Sequence, residues 1–240
     1  MRNLFVAILL FSFGSNLLGN PANVDSLKQV TANLNGLVKV KKLNEIAAEI
    51  TSEHPEPAME FAEEAMQLSK TLNDLISIAE SHNTMGLILQ SKYDYTNAMK
   101  SFVEALRIRN DLEDESGLAE SKNNIGKVFY LQENYTQAEE NLTEALEVWD
   151  KLQNYSGAAE SHKNLGDVYL AKEIYGKSLE HYRSALDLNL QVENVVGAAK
   201  IANHIGKIST ELGDYDGALV YYNMSRDLHS AMEDLPKIAN

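Results

Sequence analysis

The sequence contains no cysteine. That absence excludes a disulfide framework, a thiolate zinc site, an iron–sulfur cluster and a cysteine nucleophile. Proline is almost as scarce: Pro21, Pro55, Pro57 and Pro236 are the only four, so the 178 residues from Ala58 to Leu235 contain none. Proline interrupts regular structure, and so long a run without it reads as helix. Positive charge is short as well, with 21 basic against 35 acidic side chains and a formal charge of −14 over 240 residues. Nucleic acid and anionic membrane surfaces both need a basic face, so neither is expected as a partner. Apolar content of 44% is near the globular average and argues against disorder. No phosphate loop, nucleophile elbow, H-E-x-x-H or EF-hand pattern occurs, and no cofactor or metal is expected. The composition predicts a soluble, acidic, mainly helical protein of one or two domains.

The N-terminus has the form of an address. Met1-Arg2-Asn3 carries one positive charge, and Leu4 to Phe13 is an almost unbroken apolar stretch ending at Gly14-Ser15-Asn16. These are the n-region and h-region of a secretory signal peptide, read as residues 1–19 with cleavage after Gly19 or, alternatively, Gly14. Ten helical residues rise only about 15 Å, too little to span a bilayer. No cysteine follows, so a lipoprotein anchor is excluded. A secreted or periplasmic location is expected, with any membrane tether lying beyond residue 240.

The remainder is organised by a period of forty residues. Gly86, Gly126, Gly166 and Gly206 share it, as do Gly117, Gly157 and Gly197, and Tyr95, Tyr135, Tyr175 and Tyr215. Self-similarity at a fixed period signals a solenoid. Each unit holds two helical patterns: Ile78, His82, Met85, Gly86 and Leu89 form one stripe, and Ala98, Phe102, Ala105 and Leu106 another. Asp94, Asn134 and Asp214 are candidate N-caps before the second helix, with Ile174 a departure. Gly117, Gly157 and Gly197 read as the joints between units, where glycine relieves the chain reversal. Gly86 and its equivalents fall inside a helix, where glycine costs about 1 kcal/mol relative to alanine, and close approach of a neighbouring helix is the simplest reason.

This pattern resembles the tetratricopeptide repeat in a forty-residue form. The signature of small, aromatic and small residues is carried by Gly86, Ala98, Phe102 and Ala105, by Gly126, Ala138, Leu142 and Ala145, by Gly166, Ser178, Tyr182 and Ala185, and by Gly206, Ala218, Tyr222 and Ser225. The family's tryptophan is replaced by His82, Lys122, His162 and Ala202, and its closing proline is absent. The resemblance implies an all-α fold, an α-solenoid of stacked antiparallel helix pairs in a right-handed superhelix. The expected organisation is a linker and capping helix over 20–36, a degenerate unit over 37–76 with Ile46 in the glycine position, and units over 77–116, 117–156, 157–196 and 197–236. Residues 237–240 fall at the phase of a sixth unit, which leaves self-association through an uncapped C-terminal end as one expectation.

A second stripe of each first helix points away from the packing stripe and would line a groove. It comprises Glu80, Asn83, Leu87 and Gln90, then Glu120, Asn123, Lys127 and Tyr130, then Glu160, Lys163, Asp167 and Leu170, then Lys200, Asn203, Lys207 and Thr210. Amides both donate and accept, so Asn83, Asn123, Asn124, Asn164 and Asn203 could pair with the backbone of an extended peptide. The alternative reading has them solvated or packed between units. Lys127, Lys163 and Lys207 could steer an acidic partner, or form an ordinary charged face. The six histidines read as isolated or packing residues, because His82 and His162 recur at one phase two units apart, too far to share a metal. Without a catalytic constellation, the expected function is a non-catalytic module that binds a peptide or protein segment. Its architecture resembles the extracytoplasmic sensory region of bacterial membrane signalling proteins, with a freestanding secreted scaffold as the alternative.

Overall fold

The computed structural model describes residues 21–234. The leader of residues 1–19 and the opening of a sixth unit at 237–240 lie outside the described residues. Eleven α-helices follow one another, and no strand occurs among the described residues. No helix among them is long and apolar enough to cross a membrane. The chain forms two compact units that meet at Arg109 and Asn110.

The first unit holds α1 (Pro21–Ala32), α2 (Gly36–Ile50), α3 (Pro55–Leu72), α4 (Leu75–Ser91) and most of α5 (Tyr95–Asp111). Its core is built from Val40, Leu43, Ile46, Ile50, Phe61 and Ile88. The second unit holds three helical hairpins: α6 (Glu115–Leu131) with α7 (Tyr135–Lys151), α8 (Tyr155–Ala171) with α9 (Tyr175–Gln191), and α10 (Val195–Glu211) with α11 (Tyr215–Asp234). Within it, Leu142, Leu165 and Val168 bridge the first two hairpins, and Tyr182, Leu186, Ile201, Ile205 and Ile208 bridge the last two. Stacked antiparallel pairs of this kind are an α-solenoid.

Helix-interior glycines sit under a large side chain from the partner helix of the same hairpin. A Cβ added at Gly86 would lie 2.5 Å from the Phe102 ring, at Gly126 2.7 Å from Leu142, at Gly166 2.9 Å from Tyr182 and at Gly206 2.8 Å from Tyr222. The degenerate pair α2–α3 reverses the sizes. Ile46 stands in the glycine phase and Ala62 in the aromatic phase, both buried in one cluster, so the volume is filled from the other side.

Chain reversals depart from expectation. Gly117, Gly157 and Gly197 do not relieve them. The left-handed residues are Asn73, Tyr93, Glu113, Glu133, Gln153, Glu173 and Glu193, with φ between 53° and 61°, and among the turns only Gly213 is a glycine there. Each closes the preceding helix through backbone bonds, as in Asn73 N–H to Lys70 O and Asp74 N–H to Ser69 O, both 3.1 Å. The three glycines lie instead in the first turn of α6, α8 and α10. Their N–H groups donate to the caps Asp114 (2.9 Å), Asn154 (2.9 Å) and Asn194 (3.0 Å). Gly157 also lies under Trp149, whose ring a Cβ would meet at 2.5 Å. Asp94, Asn134 and Asp214 accept from Asn97, Gln137 and Gly217, and Ile174 offers no side-chain cap.

Candidate functional site

The groove stripe of the second unit runs over α6, α8 and α10, and the residues it brings together fall into two layers. Deepest are the amides. Asn123 is 6% exposed and Asn164 3%. The Asn123 carboxamide oxygen accepts from Ser161 Oγ at 3.1 Å and from Asn164 Nδ2 at 3.2 Å. These bonds join α6 to α8. Asn44 Nδ2 donates to Ser81 Oγ at 3.2 Å in the first unit, joining α2 to α4 in the same manner. Asn83 and Asn124 are buried as well. Burial follows from the stacking of hairpins, which lays one first helix against the next and turns the stripe's inner edge into an interface.

Above the amides lies a charged layer. Lys163 Nζ is 2.7 Å from Asp167 Oδ2 and also donates to Asn164 Oδ1 at 3.3 Å. Asp167 accepts a second, short hydrogen bond from the Tyr182 hydroxyl. Burial, with the Asp167 charge behind it, pushes the Tyr182 phenol far up. Burial lowers the Lys163 ammonium, but the charge and hydrogen bond of Asp167 outweigh it and the net shift is upward. Lys127 is half-buried on α6 and is pushed down by desolvation, with Glu160 and Asp167 opposing and Lys163 adding to the shift. His204 of α10 stacks on Tyr182, ring centroids 5.4 Å apart and planes within 19°. Its imidazole is held below its usual range chiefly by burial.

The outer edge is open. Asn203 and Lys207 are exposed on α10, as are Lys200 and Glu160. A cavity of about 420 Å³ opens between α8 and α10, lined by Glu160, Lys163, Asn189, Lys200, Ile201 and His204 among others. Its surface offers donors and acceptors of both charges. The sequence stripe contained Glu160 and Asp167, but not Tyr182 or His204. Tyr182 stands where the other hairpins have Phe102, Leu142 and Tyr222, and a phenol in a phase shared with phenylalanine and leucine was the available signal.

Two further histidines meet outside the groove. His162 on α8 and His181 on α9 approach with their Nδ1 atoms 2.9 Å apart. Of the two alternatives that the sequence left open, isolated or packing, these two take the second, because the α8–α9 reversal folds the two helices face to face.

Small-residue phases, hairpin stacking and amide ladder together define a helical-repeat protein. The particular repeat is the tetratricopeptide repeat: its sequence model matches residues 77–151 and 117–191, and this chain carries that family's fold. Solved structures share the arrangement. BtubC (BKLC) from P. vanneervenii is 17% identical, with a TM-score of 0.67 and 88% of each chain covered. A Rap protein complexed with Competence and Sporulation Factor is 15% identical, TM-score 0.61, covering 88% of this chain and 70% of that one. The tetratricopeptide repeat sensor protein PH0952 from Pyrococcus horikoshii, a signal transduction ATPase, is 17% identical, TM-score 0.62, covering 90% of this chain and 36% of that one. No curated protein sequence matches the chain.

Proposed function

We propose that the chain is a non-catalytic module that binds an extended peptide or protein segment on the face formed by α6, α8 and α10. The observation that carries this reading is the layered face itself. Buried amides fix the helices in register, while Lys163 and Lys200 line a cavity and Asn203 and Lys207 stay exposed on α10, in a chain whose overall charge is −14. The amides that sequence alone offered to a peptide are partly committed to one another, so the contact falls to the outer lysines, Glu160 and Asn203. A Rap protein of the same fold is held in complex with Competence and Sporulation Factor, which supports a binding role for this fold.

The leader supports an extracytoplasmic location, and the architecture fits the sensory or scaffold region of a bacterial signal-transduction protein. The alternative is a freestanding secreted scaffold. The reading frame after the codon for Asn240 separates them: an apolar stretch of about 20 residues followed by an output domain supports the sensor. Binding itself is tested with a library of extended peptides, measured by fluorescence polarisation against the wild type and Lys200→Glu/Lys207→Glu. Selected peptides should lose at least about tenfold in affinity, about 1.4 kcal/mol, with unchanged melting. Equal affinity for both proteins would move the contact off this face.

A further inference from the structure

The two phases that hold His162 and His181 are filled differently in each hairpin: His82 with Ser101, Lys122 with Asn141, and Ala202 with Tyr221. Only α8–α9 sets two imidazoles against each other. Their ring centroids are 5.2 Å apart with planes inclined at 44°. The His181 ring is held from behind by Tyr169, stacked at 5.3 Å and 13°. Tyr169 is itself fixed, because its hydroxyl donates to Glu139 at 2.6 Å and Lys172 donates to the other oxygen of that carboxylate at 2.6 Å. Supported rings of this kind are the preorganisation that a ligand set needs.

The spacing of the nitrogens is informative. Two imidazole nitrogens on one metal at about 2.05 Å lie about 2.9 Å apart for a right-angle bite and about 3.4 Å apart for a tetrahedral one. The Nδ1 atoms of His162 and His181 are 2.9 Å apart, joined without metal by a hydrogen bond in which one ring donates, and this separation equals the right-angle bite. A right-angle pair suits the tetragonal geometry of Cu²⁺ and Ni²⁺ better than tetrahedral Zn²⁺, and imidazole is a good donor to both. The carboxylates nearby favour a cation, Asp150 and Glu180 acting on His162 and Glu180 and Glu139 on His181, while Lys177 opposes it at His181. Burial holds both imidazoles below their usual range, which keeps the neutral, metal-competent form at neutral pH.

We propose that His162 and His181 form a two-histidine site for Cu²⁺ or Ni²⁺, chelated through their Nδ1 atoms with water in the remaining positions. The imidazole that carries its hydrogen on Nδ1 takes the other tautomer, with the hydrogen on Nε2, so both Nδ1 lone pairs face the ion. No cluster of three metal-ligating side chains forms among the described residues, so binding rests on these two rings. The site joins α8 to α9 and stands apart from the peptide-binding face.

The test uses the full chain with any affinity tag removed. Calorimetric titration with Cu²⁺ and with Ni²⁺ should show one saturable site, and either ion should raise the melting temperature. His162→Gln and His181→Gln should each lower affinity at least about tenfold and abolish the metal-dependent rise. His82→Gln, at the equivalent phase, should bind as wild type. Electron paramagnetic resonance of the wild-type Cu²⁺ complex should show two coupled imidazole nitrogens, a readout independent of how the variants fold. Absence of saturable binding, a spectrum without coupled nitrogen, or wild-type affinity in the folded His162→Gln and His181→Gln proteins would overturn the proposal.

Discussion

Gly86→Ala probes the close approach that the forty-residue glycine phase provides. The new Cβ would stand 2.5, 2.7 and 2.9 Å from three ring carbons of Phe102. Phe102 is fully buried and has no free volume to retreat into. Carbon atoms in contact settle at about 3.5–4.0 Å, so α4 and the ring must separate by roughly 1 Å. Overpacking on this scale costs about 1–3 kcal/mol, and alanine recovers about 1 kcal/mol of helix propensity, leaving a net loss of up to about 2 kcal/mol. Gly176→Ala is the counterpart, since nothing lies within 4 Å of its Cβ. Only propensity acts there, and stability should rise by up to about 1 kcal/mol. Urea denaturation followed by far-ultraviolet circular dichroism measures both. In a Phe102→Ala background the ring is gone, so the cost of Gly86→Ala should disappear and the cycle should give a coupling of at least about 1 kcal/mol. A coupling near zero between Gly86→Ala and Phe102→Ala would refute the steric account of this phase.

Asn123→Ala removes the acceptor shared by Ser161 and Asn164, leaving Asn164 Nδ2 only its 3.4 Å bond to Glu160, which should cost about 1–3 kcal/mol in the same denaturation assay. Asn203→Ala, on the exposed edge, should change stability by less than about 0.5 kcal/mol, and equal effects at the two positions would contradict the layered description. His82 and His204 have folded-state affinities for protons held below the usual 6.5, chiefly by burial. Below pH 6.5 the unfolded chain binds protons that the fold does not, so their contribution to stability is present above that value and is lost as pH falls toward the folded values. The double variant His82→Gln/His204→Gln should therefore lose less melting temperature than wild type on acidification from about pH 7 to about pH 5.5. An unchanged difference would show that neither imidazole is desolvated in the fold.

Much of the fold was legible because the period imposes local chemistry at fixed positions. The glycine and small-residue phases identified the hairpins and their close packing before any coordinates, and Asp94, Asn134 and Asp214 marked the starts of second helices. What periodicity conceals is which residue of each joint does the turning. Gly117 looked like a joint, yet the left-handed position belongs to Glu113, four residues earlier, and Asp114 caps the helix that contains the glycine. A charged side chain in that conformation carries no sequence signal that distinguishes it from a solvated turn residue. The groove was legible as a stripe, but its depth was not. Asn123 and Asn203 occupy the same phase, one buried between α6 and α8 and the other exposed on α10. That difference depends on a neighbour about forty residues away, and the meeting of His162 with His181 on one 19 residues away across a turn.

Trp149 is the only tryptophan in the sequence, and it lies wholly within the second unit beneath Gly157. Its fluorescence therefore watches one half of the molecule, whereas circular dichroism averages over the helices of both. Followed together through one denaturation, the two signals ask whether the halves melt as a single cooperative block. Coincident midpoints mean that a ligand stabilising either half protects the whole chain; separated midpoints mean that each half answers to its own ligand. The protein thus carries an intrinsic optical label for its own modularity.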